Sequence, residues 1–161
     1  RSTLSSSSAA SDVYKRQERS RVMASSFMIS ADNAQAAHPN HMEKSDAVNR
    51  PFMNEGIVIK YNANQRYTSD GVSSAIFKMI CEKAGVPYQV YVNRSDIAGG
   101  STLGNIAGTQ ISMNTVDIGL AQLAMHSSYE TAGTKDTEYL VKAAKQFFES
   151  NIQCEEDGYI L

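Results

Sequence analysis

The chain predicts an α/β domain with a mixed, largely parallel sheet and helices on its faces, and three observations carry that prediction. Short β-branched and apolar runs recur at Phe27-Met28-Ile29, Ile57-Val58-Ile59-Lys60-Tyr61, Gln89-Val90-Tyr91-Val92 and Thr115-Val116-Asp117-Ile118-Gly119-Leu120. Other stretches place apolar residues at three- and four-residue steps, the helical period. The two periods alternate along the chain, as they do where helices connect strands of one sheet.

Each element has its own signal. Residues 1–17, RSTLSSSSAASDVYKRQ, begin without methionine, are rich in serine and hold no sustained apolar period. They lack the continuous apolar centre of a secretory signal. Their DVYKRQ ending resembles translated adaptor sequence, so this segment is expected to be an artefact and disordered. The native chain is then expected to enter near Glu18, partway through a longer protein. Residues 18–152 form the structured part. Phe27-Met28-Ile29 reads as a buried strand that delivers Asp32 at its end, and residues 39–56, with Asn, Asp, Pro and Gly, read as loop. The β-branched run at Ile57 packs well in a sheet.

The clearest helix follows. Val72, Ala75, Ile76, Met79 and Ile80 share one face, while Lys78, Glu82 and Lys83 lie elsewhere. Ser69 or Asp70 caps its start, and Gly85 followed by Pro87 stops it. Gly99-Gly100-Ser101-Thr102 is a permissive turn into a helix from Leu103 to near Ile111. A last helix spans about residues 137–150, with Leu140, Ala144, Phe147 and Phe148 as its packing face. Residues 153–161 are expected to be a flexible tail.

Composition narrows the function. A chain of 161 residues suits one domain with a real core. A net charge of -2 without a basic block argues against nucleic acid. No apolar run approaches the roughly 20 residues that cross a bilayer. Cys81 falls on an apolar helical stripe and reads as a buried core thiol, and Cys154 lies in the acidic tail. Two cysteines make no disulfide scaffold and fit a reducing compartment.

Four reactive residues sit among small, apolar or turn-forming neighbours: Asp32, His38, Lys60 and His126. Asp32 and His126 offer the oxygen and nitrogen that zinc accepts, yet a catalytic zinc takes about three protein ligands and one open position. Taken singly, each has a plainer reading. Asp32 could be a cap or a loop hydrogen-bond acceptor. His38, aimed by Pro39, could belong with His41 to an exposed histidine loop. His126 could be a hydrogen-bonded core histidine, and Lys60 a stem that reaches solvent.

Together these residues belong to longer motifs. SADNAQAAHPN at Ser30 to Asn40, VIKYNANQRY at Val58 to Tyr67, RSD with GGSTLG at Arg94 to Gly104, and TVDIGLAQLAMHS at Thr115 to Ser127 follow one another in order. From about Ser25 to Glu149 the chain resembles the aspartyl-aminopeptidase family of metallopeptidases. The resemblance implies the C-terminal part of a zinc-peptidase-like, three-layer catalytic domain. It places Asp32 at a metal-ligand aspartate and His126 at the late metal-ligand histidine. His38 matches a histidine near the substrate, tied to the subunit interface, and Lys60 a lysine near the substrate pocket. Gln35 stands where the family often has histidine, and an amide cannot take up a proton as imidazole can. Ala121 stands where proline often precedes QL.

What the resemblance implies for activity is specific. Two zinc ions are expected in the complete enzyme, with manganese or cobalt as substitutes. The substrates are peptides with a free N-terminus that opens on an acidic or neutral residue. The complete protein is expected to be a cytoplasmic homo-oligomer. The family pattern places another histidine ligand, a bridging aspartate, an adjacent glutamate pair and an inserted dimerisation domain before the block that holds Asp32. None of these occurs here, and Glu43 and Glu55 sit in the wrong contexts to act as general base, so no catalytic residue is assigned. The competing interpretation is a non-catalytic α/β fragment or an inactive subunit with a structural role in an assembly. A nucleophile-elbow hydrolase is disfavoured because no GxSxG sequence is present. The glycine turn also lacks the GxGxxG spacing of a nucleotide site.

Overall fold

The computed structural model describes residues 6–155 and 158–160. In chain order its elements are α1 (Ser6–Ala24), β1 (Phe27–Ala31), β2 (Ala34–Gln35), a 3-10 turn (Met42–Lys44), β3 (Ile57–Tyr61), α2 (Gly71–Ala84), β4 (Tyr88–Val92), α3 (Leu103–Gln110), β5 (Asn114–Gly119), β6 (Ala121–Leu123), β7 (Thr131–Ala132), α4 (Thr134–Glu149), β8 (Gln153–Glu155) and β9 (Gly158–Ile160). The main sheet has the order β1-β5-β3-β4. Its outer pairs, β1 with β5 and β3 with β4, are parallel, and β3 meets β5 antiparallel. This is the mixed, largely parallel sheet that the sequence predicts.

Side chains alternate across a strand, so each strand presents two different faces. On one face Ile57 and Ile59 of β3 and Val116 and Ile118 of β5 pack with Ile76, Phe77, Ile80 and Cys81 of α2 and Ala143 of α4. Each large side chain fully buried there contributes roughly 1.5–3 kcal/mol. The opposite face carries Ser30 of β1, Asp117 of β5 and Val58 and Lys60 of β3, all buried. There α3 covers it: the Gly104 N–H donates to Ser30 Oγ at 2.9 Å. Helices on both faces give three layers.

Beyond the main sheet the chains of β1 and β5 continue side by side. β2 pairs with β6 in parallel, just as β1 pairs with β5. Between the two ladders the Asp32 N–H donates to the Ile118 carbonyl at 3.0 Å, and the Ala34 N–H to the Leu120 carbonyl at 2.8 Å. Asp32 thus occupies the joint between two short parallel ladders.

Local chemistry fixes α2. Asp70 Oδ1 accepts the Ser73 N–H at 2.7 Å, Ser73 Oγ accepts the Asp70 N–H at 3.0 Å, and Gly85 ends the helix in the left-handed region. Its buried face differs from the predicted one. Ile76 and Ile80 are buried as expected, but Ser73, Ser74, Phe77 and Cys81 complete that face and Val72 and Met79 are exposed. The inner stripe is rotated because Phe77, the largest apolar side chain of the helix, takes the position against the sheet. α4 shows a similar correction: Ala143 is buried against the core and Phe148 is 82% exposed.

Both termini depart from expectation. Residues 6–17, expected to be disordered, belong to α1. No Gly or Pro interrupts Ser6–Ala24, and its Ala, Lys, Arg, Gln, Glu and Met favour helix. Val13, Tyr14 and Val22 are exposed, so among its described side chains this helix presents no apolar stripe to a core. The expected flexible tail instead forms a β8–β9 hairpin in which Cys154 pairs with Tyr159. Ile152 and Tyr159 pack on the main core, and the Tyr159 ring meets Phe27 edge-on with centroids 6.5 Å apart. The remainder of both expectations falls on residues 1–5, 156, 157 and 161, outside the described residues. Among the described residues, no helix is long and apolar enough to cross a membrane.

Candidate functional site

Asp32 follows the last residue of β1, at the carboxyl end of a parallel strand, where α/β sheets commonly hold ligands. Its approach to β5 depends on Gly119. A Cβ on Gly119 would lie 2.0 Å from the Asp32 carbonyl oxygen, so glycine is required for the backbones to come this close. The Asp32 carboxylate is exposed. Its Oδ1 accepts the Asn33 N–H at 2.8 Å, while Oδ2 makes no hydrogen bond among the described residues.

Lys60 meets Asp32 from β3. Its Nζ donates to the Asp32 carbonyl at 3.3 Å and lies 5.2 Å from the centre of the Tyr67 ring. The sequence left open a stem that reaches solvent; the structure keeps Lys60 at 2% exposure. Burial pushes the ammonium below its ordinary pKa, and the charges of Asp32 and Asp117 act in the opposite direction. Tyr67 is pushed up to about 12, first by burial and then by Tyr91 and the two aspartates. The Tyr67 and Tyr91 rings stand 6.4 Å apart and wall this side of Lys60.

Asp117 is a member of this cluster that sequence reasoning did not single out. It is fully buried, at 0% exposure. Its Oδ2 accepts both the Thr68 N–H at 2.6 Å and the Thr68 hydroxyl at 2.8 Å. The Asp117 N–H donates to Ser69 Oγ at 2.9 Å. Its Oδ1 has no hydrogen-bond partner among the described residues. The signal was present in the sequence: a carboxylate inside the run TVDIGL cannot be buried without a reason.

The histidines lie on separate loops. His126 follows β6 in a turn where Ala124 and His126 have φ of 55° and 65°, a left-handed conformation that costs a non-glycine residue about 1–3 kcal/mol. Glu130 braces that turn by accepting the His126 N–H at 2.7 Å. The His126 ring is exposed, contrary to a core-histidine reading, and makes no hydrogen bond among the described residues. His38 Nδ1 accepts the Asn40 N–H at 3.1 Å, which leaves Nε2 free to engage another group. Its ring centroid is 5.1 Å from that of His41, and both are exposed. The structure therefore joins Asp32 and Lys60 directly and shows neither histidine bonded to them.

The donor set bears on metal binding. Asp32 Oδ2 and the His126 ring are uncommitted donors of the types zinc accepts. Among the described residues, no group of three or more His, Cys, Asp or Glu side chains is placed to hold a metal ion. The residues present fit part of a zinc site and not a closed one.

Comparison with known proteins is consistent with that partial geometry. The family described as aminopeptidase I zinc metalloprotease (M18) matches residues 2–148. Over 133 residues the chain is 50% identical to "Probable M18 family aminopeptidase 2" of Clostridium acetobutylicum, covering 83% of this chain and 31% of that protein. Among solved structures, it superposes on a chain of "the Ape4 and Nbr1 complex" with a TM-score of 0.77 and 43% identity, covering 79% of this chain and 24% of that one. The S. cerevesiae mApe1 dodecamer gives a TM-score of 0.72 at 27% identity, covering 87% of this chain and 32% of that one. The chain spans about a third of the length of the curated relatives it matches.

Proposed function

The chain belongs to the aminopeptidase I zinc metalloprotease (M18) family, and from that premise we propose that it supplies part of the catalytic domain of a metal-dependent aminopeptidase. The complete enzyme releases acidic or neutral N-terminal residues from peptides with a free amino terminus. The observation that most supports this reading is the meeting of Asp32 and Lys60, a metal-ligand candidate and a buried cation joined at one carbonyl.

Asp32 and His126 would hold metal through Asp32 Oδ2 and a ring nitrogen of His126. Two zinc ions are proposed for the complete enzyme, with manganese or cobalt able to replace them, and the further ligands and the general-base glutamate come from sequence outside this chain. When bound, zinc supplies Lewis acidity toward a carbonyl and an attacking water. Lys60 holds a positive charge in a site that excludes water, where an acidic substrate group is bound more strongly than in bulk solvent. His38 presents Nε2 to substrate at a subunit boundary. The proposal includes a homo-oligomer, supported by the mApe1 dodecamer among the similar structures. It also includes a cytoplasmic location, supported by the free thiols of Cys81 and Cys154.

A chimera tests the reading. This chain replaces the matching segment of the Clostridium acetobutylicum relative, and hydrolysis of aspartyl and leucyl substrates is measured with and without zinc. Metal-dependent turnover that Asp32→Ala and His126→Ala abolish is the expected result. Turnover that survives both changes overturns the ligand assignment. Lys60→Ala is expected to lower kcat/KM more for the aspartyl than for the leucyl substrate; equal losses reject selective reading of the acidic residue. The isolated 161-residue chain is expected to show no turnover, because two donors do not close a catalytic site.

A further inference from the structure

Four polar residues form one row across the main sheet. Ser30 of β1 pairs with Asp117 of β5, and Lys60 of β3 pairs with Tyr91 of β4. β3 and β5 run antiparallel with Ile59 opposite Ile118, so the next step along the two strands sets Lys60 opposite Asp117. Side chains so opposed project to the same face with Cβ atoms about 4.5–5.5 Å apart. Asp117 and Lys60 are thus oppositely charged neighbours, and each is almost wholly buried.

The surroundings of Asp117 hold its carboxylate in one orientation. Thr68 takes Oδ2 with two hydrogen bonds. Ser69 Oγ accepts the Asp117 N–H and also donates to its carbonyl at 3.3 Å, so the segment after Tyr67 is fastened to β5 at two consecutive residues. On the other side Gly104, the second residue of α3, closes over the carboxylate, and a Cβ there would lie 2.9 Å from both Oδ1 and Ser30 Oγ. The first turn of α3 therefore favours the negative charge from above, and Lys60 is the cation that answers it within the sheet.

Lys60 is in turn poorly held by hydrogen bonds. An ammonium has three N–H donors, and the structure gives Nζ one acceptor, the Asp32 carbonyl at 3.3 Å, with the Tyr67 ring alongside. A buried cation needs a compensating charge. Asp32 is exposed and stands at the mouth of the site, whereas Asp117 is buried and locked. We propose that Asp117 is a positioning residue of this site: its fixed carboxylate is the counter-charge that keeps the Lys60 ammonium at the Asp32 carbonyl, while its Thr68 and Ser69 bonds set the Tyr67 ring beside that ammonium. This rests on the reading of Lys60 as a substrate-facing cation for its consequence in catalysis, and on geometry alone for the positioning itself.

The test uses the full 161-residue chain and a small amine-acylating reagent, with the rate at each lysine followed by mass spectrometry. Lys78, half-buried and resting on the Tyr88 ring, is the internal control. Asp117→Asn keeps the shape and removes the charge. It is expected to raise acylation of Lys60 about tenfold or more, since a buried ammonium without its counter-charge is displaced from the Asp32 carbonyl toward solvent, with Lys78 and the near-ultraviolet tyrosine signal unchanged. Thr68→Val loosens the carboxylate while keeping its charge, and is expected to raise the Lys60 rate by a smaller factor. An unchanged Lys60 rate in Asp117→Asn overturns the proposal. Should Asp117→Asn lose the tyrosine signal, Thr68→Val decides instead, and equal rises at Lys60 and Lys78 in that variant overturn it. Because no turnover is measured, the outcome is separate from the substrate-preference test of Lys60→Ala.

Discussion

Gly119 and the carbonyl of Asp32 occupy adjoining space at the joint between the two parallel ladders: a Cβ on Gly119 would lie 2.0 Å from that oxygen and 2.9 Å from the Ala34 nitrogen. Backbone atoms cannot swing aside as a side-chain tip can. Gly119→Ala is therefore expected to cost about 1–3 kcal/mol by overpacking and to push Asp32 out of register with Lys60. Urea unfolding of the chain checks the first effect, and weakened zinc binding by calorimetry on the chimera checks the second. Gly100→Ala, which meets nothing within 4 Å, is the control and should leave both measurements nearly unchanged.

The capping box of α2 predicts a more modest loss. Asp70→Ala removes the acceptor of the Ser73 N–H and should reduce stability by about 1 kcal/mol. Asp70→Asn, which keeps an acceptor oxygen, should recover most of it. The urea midpoints of the three proteins test the order, and an alanine variant as stable as the parent would contradict it.

Signals that act within a few residues were legible in the sequence. Asp70 and Gly85 bound α2 because capping is local chemistry, and the β-branched run at Ile57 made β3 plain. Asp32 was placed at a strand end for the same reason. Pairing between distant segments was not legible. Ala34–Gln35 and Ala121–Leu123 are too short to announce strands, and they pair because β1 and β5 have already brought their chains together. Tyr159 and Ile152 look solvated until Phe27 and the core supply a surface for them. Asp117 is a different case: in sequence it reads as one more strand residue, although an acid flanked by Val116 and Ile118 on a buried strand demands a partner. That neither His38 nor His126 is hydrogen-bonded to Asp32, each being held by its own loop, was invisible because motifs state order along the chain and not contact.

Asp136 ties the start of α4 to the loop before β3. Its Oδ2 accepts the Asn54 N–H at 2.7 Å and its Oδ1 the Gly56 N–H at 3.1 Å. Gly56 is buried, so Asp136→Ala strands a donor that water does not readily reach. A loss of roughly 1–3 kcal/mol is expected, together with faster hydrogen exchange at the amides of Asn54 and Gly56. Exchange that stays slow at Gly56 would show that this carboxylate does not hold the loop.

The core thiol gives the chain an alkaline weakness. Cys81 is packed against the sheet in the main core, and burial pushes its pKa from 9.0 up to about 12, with a smaller contribution from Glu82. Tyr67 is shifted the same way, from 10.0 to about 12. In both cases the unfolded chain releases its proton at a lower pH than the folded one. Between about 9 and 12 the folded state therefore holds more protons, and stability falls as pH rises. The stabilisation is fully present below pH 9 and is lost progressively toward 12. Lys60 works in the opposite sense below its ordinary 10.5, because its ammonium is pushed down by burial and the folded state gives up that proton first. Comparison of variants separates the contributions. Cys81→Ala lowers stability at neutral pH by a constant packing loss, yet its decline between pH 9 and 12 should be shallower than that of the parent chain. Urea midpoints recorded across that range give both slopes, and parallel curves would mean that the Cys81 thiol does not titrate differently in the folded and unfolded states.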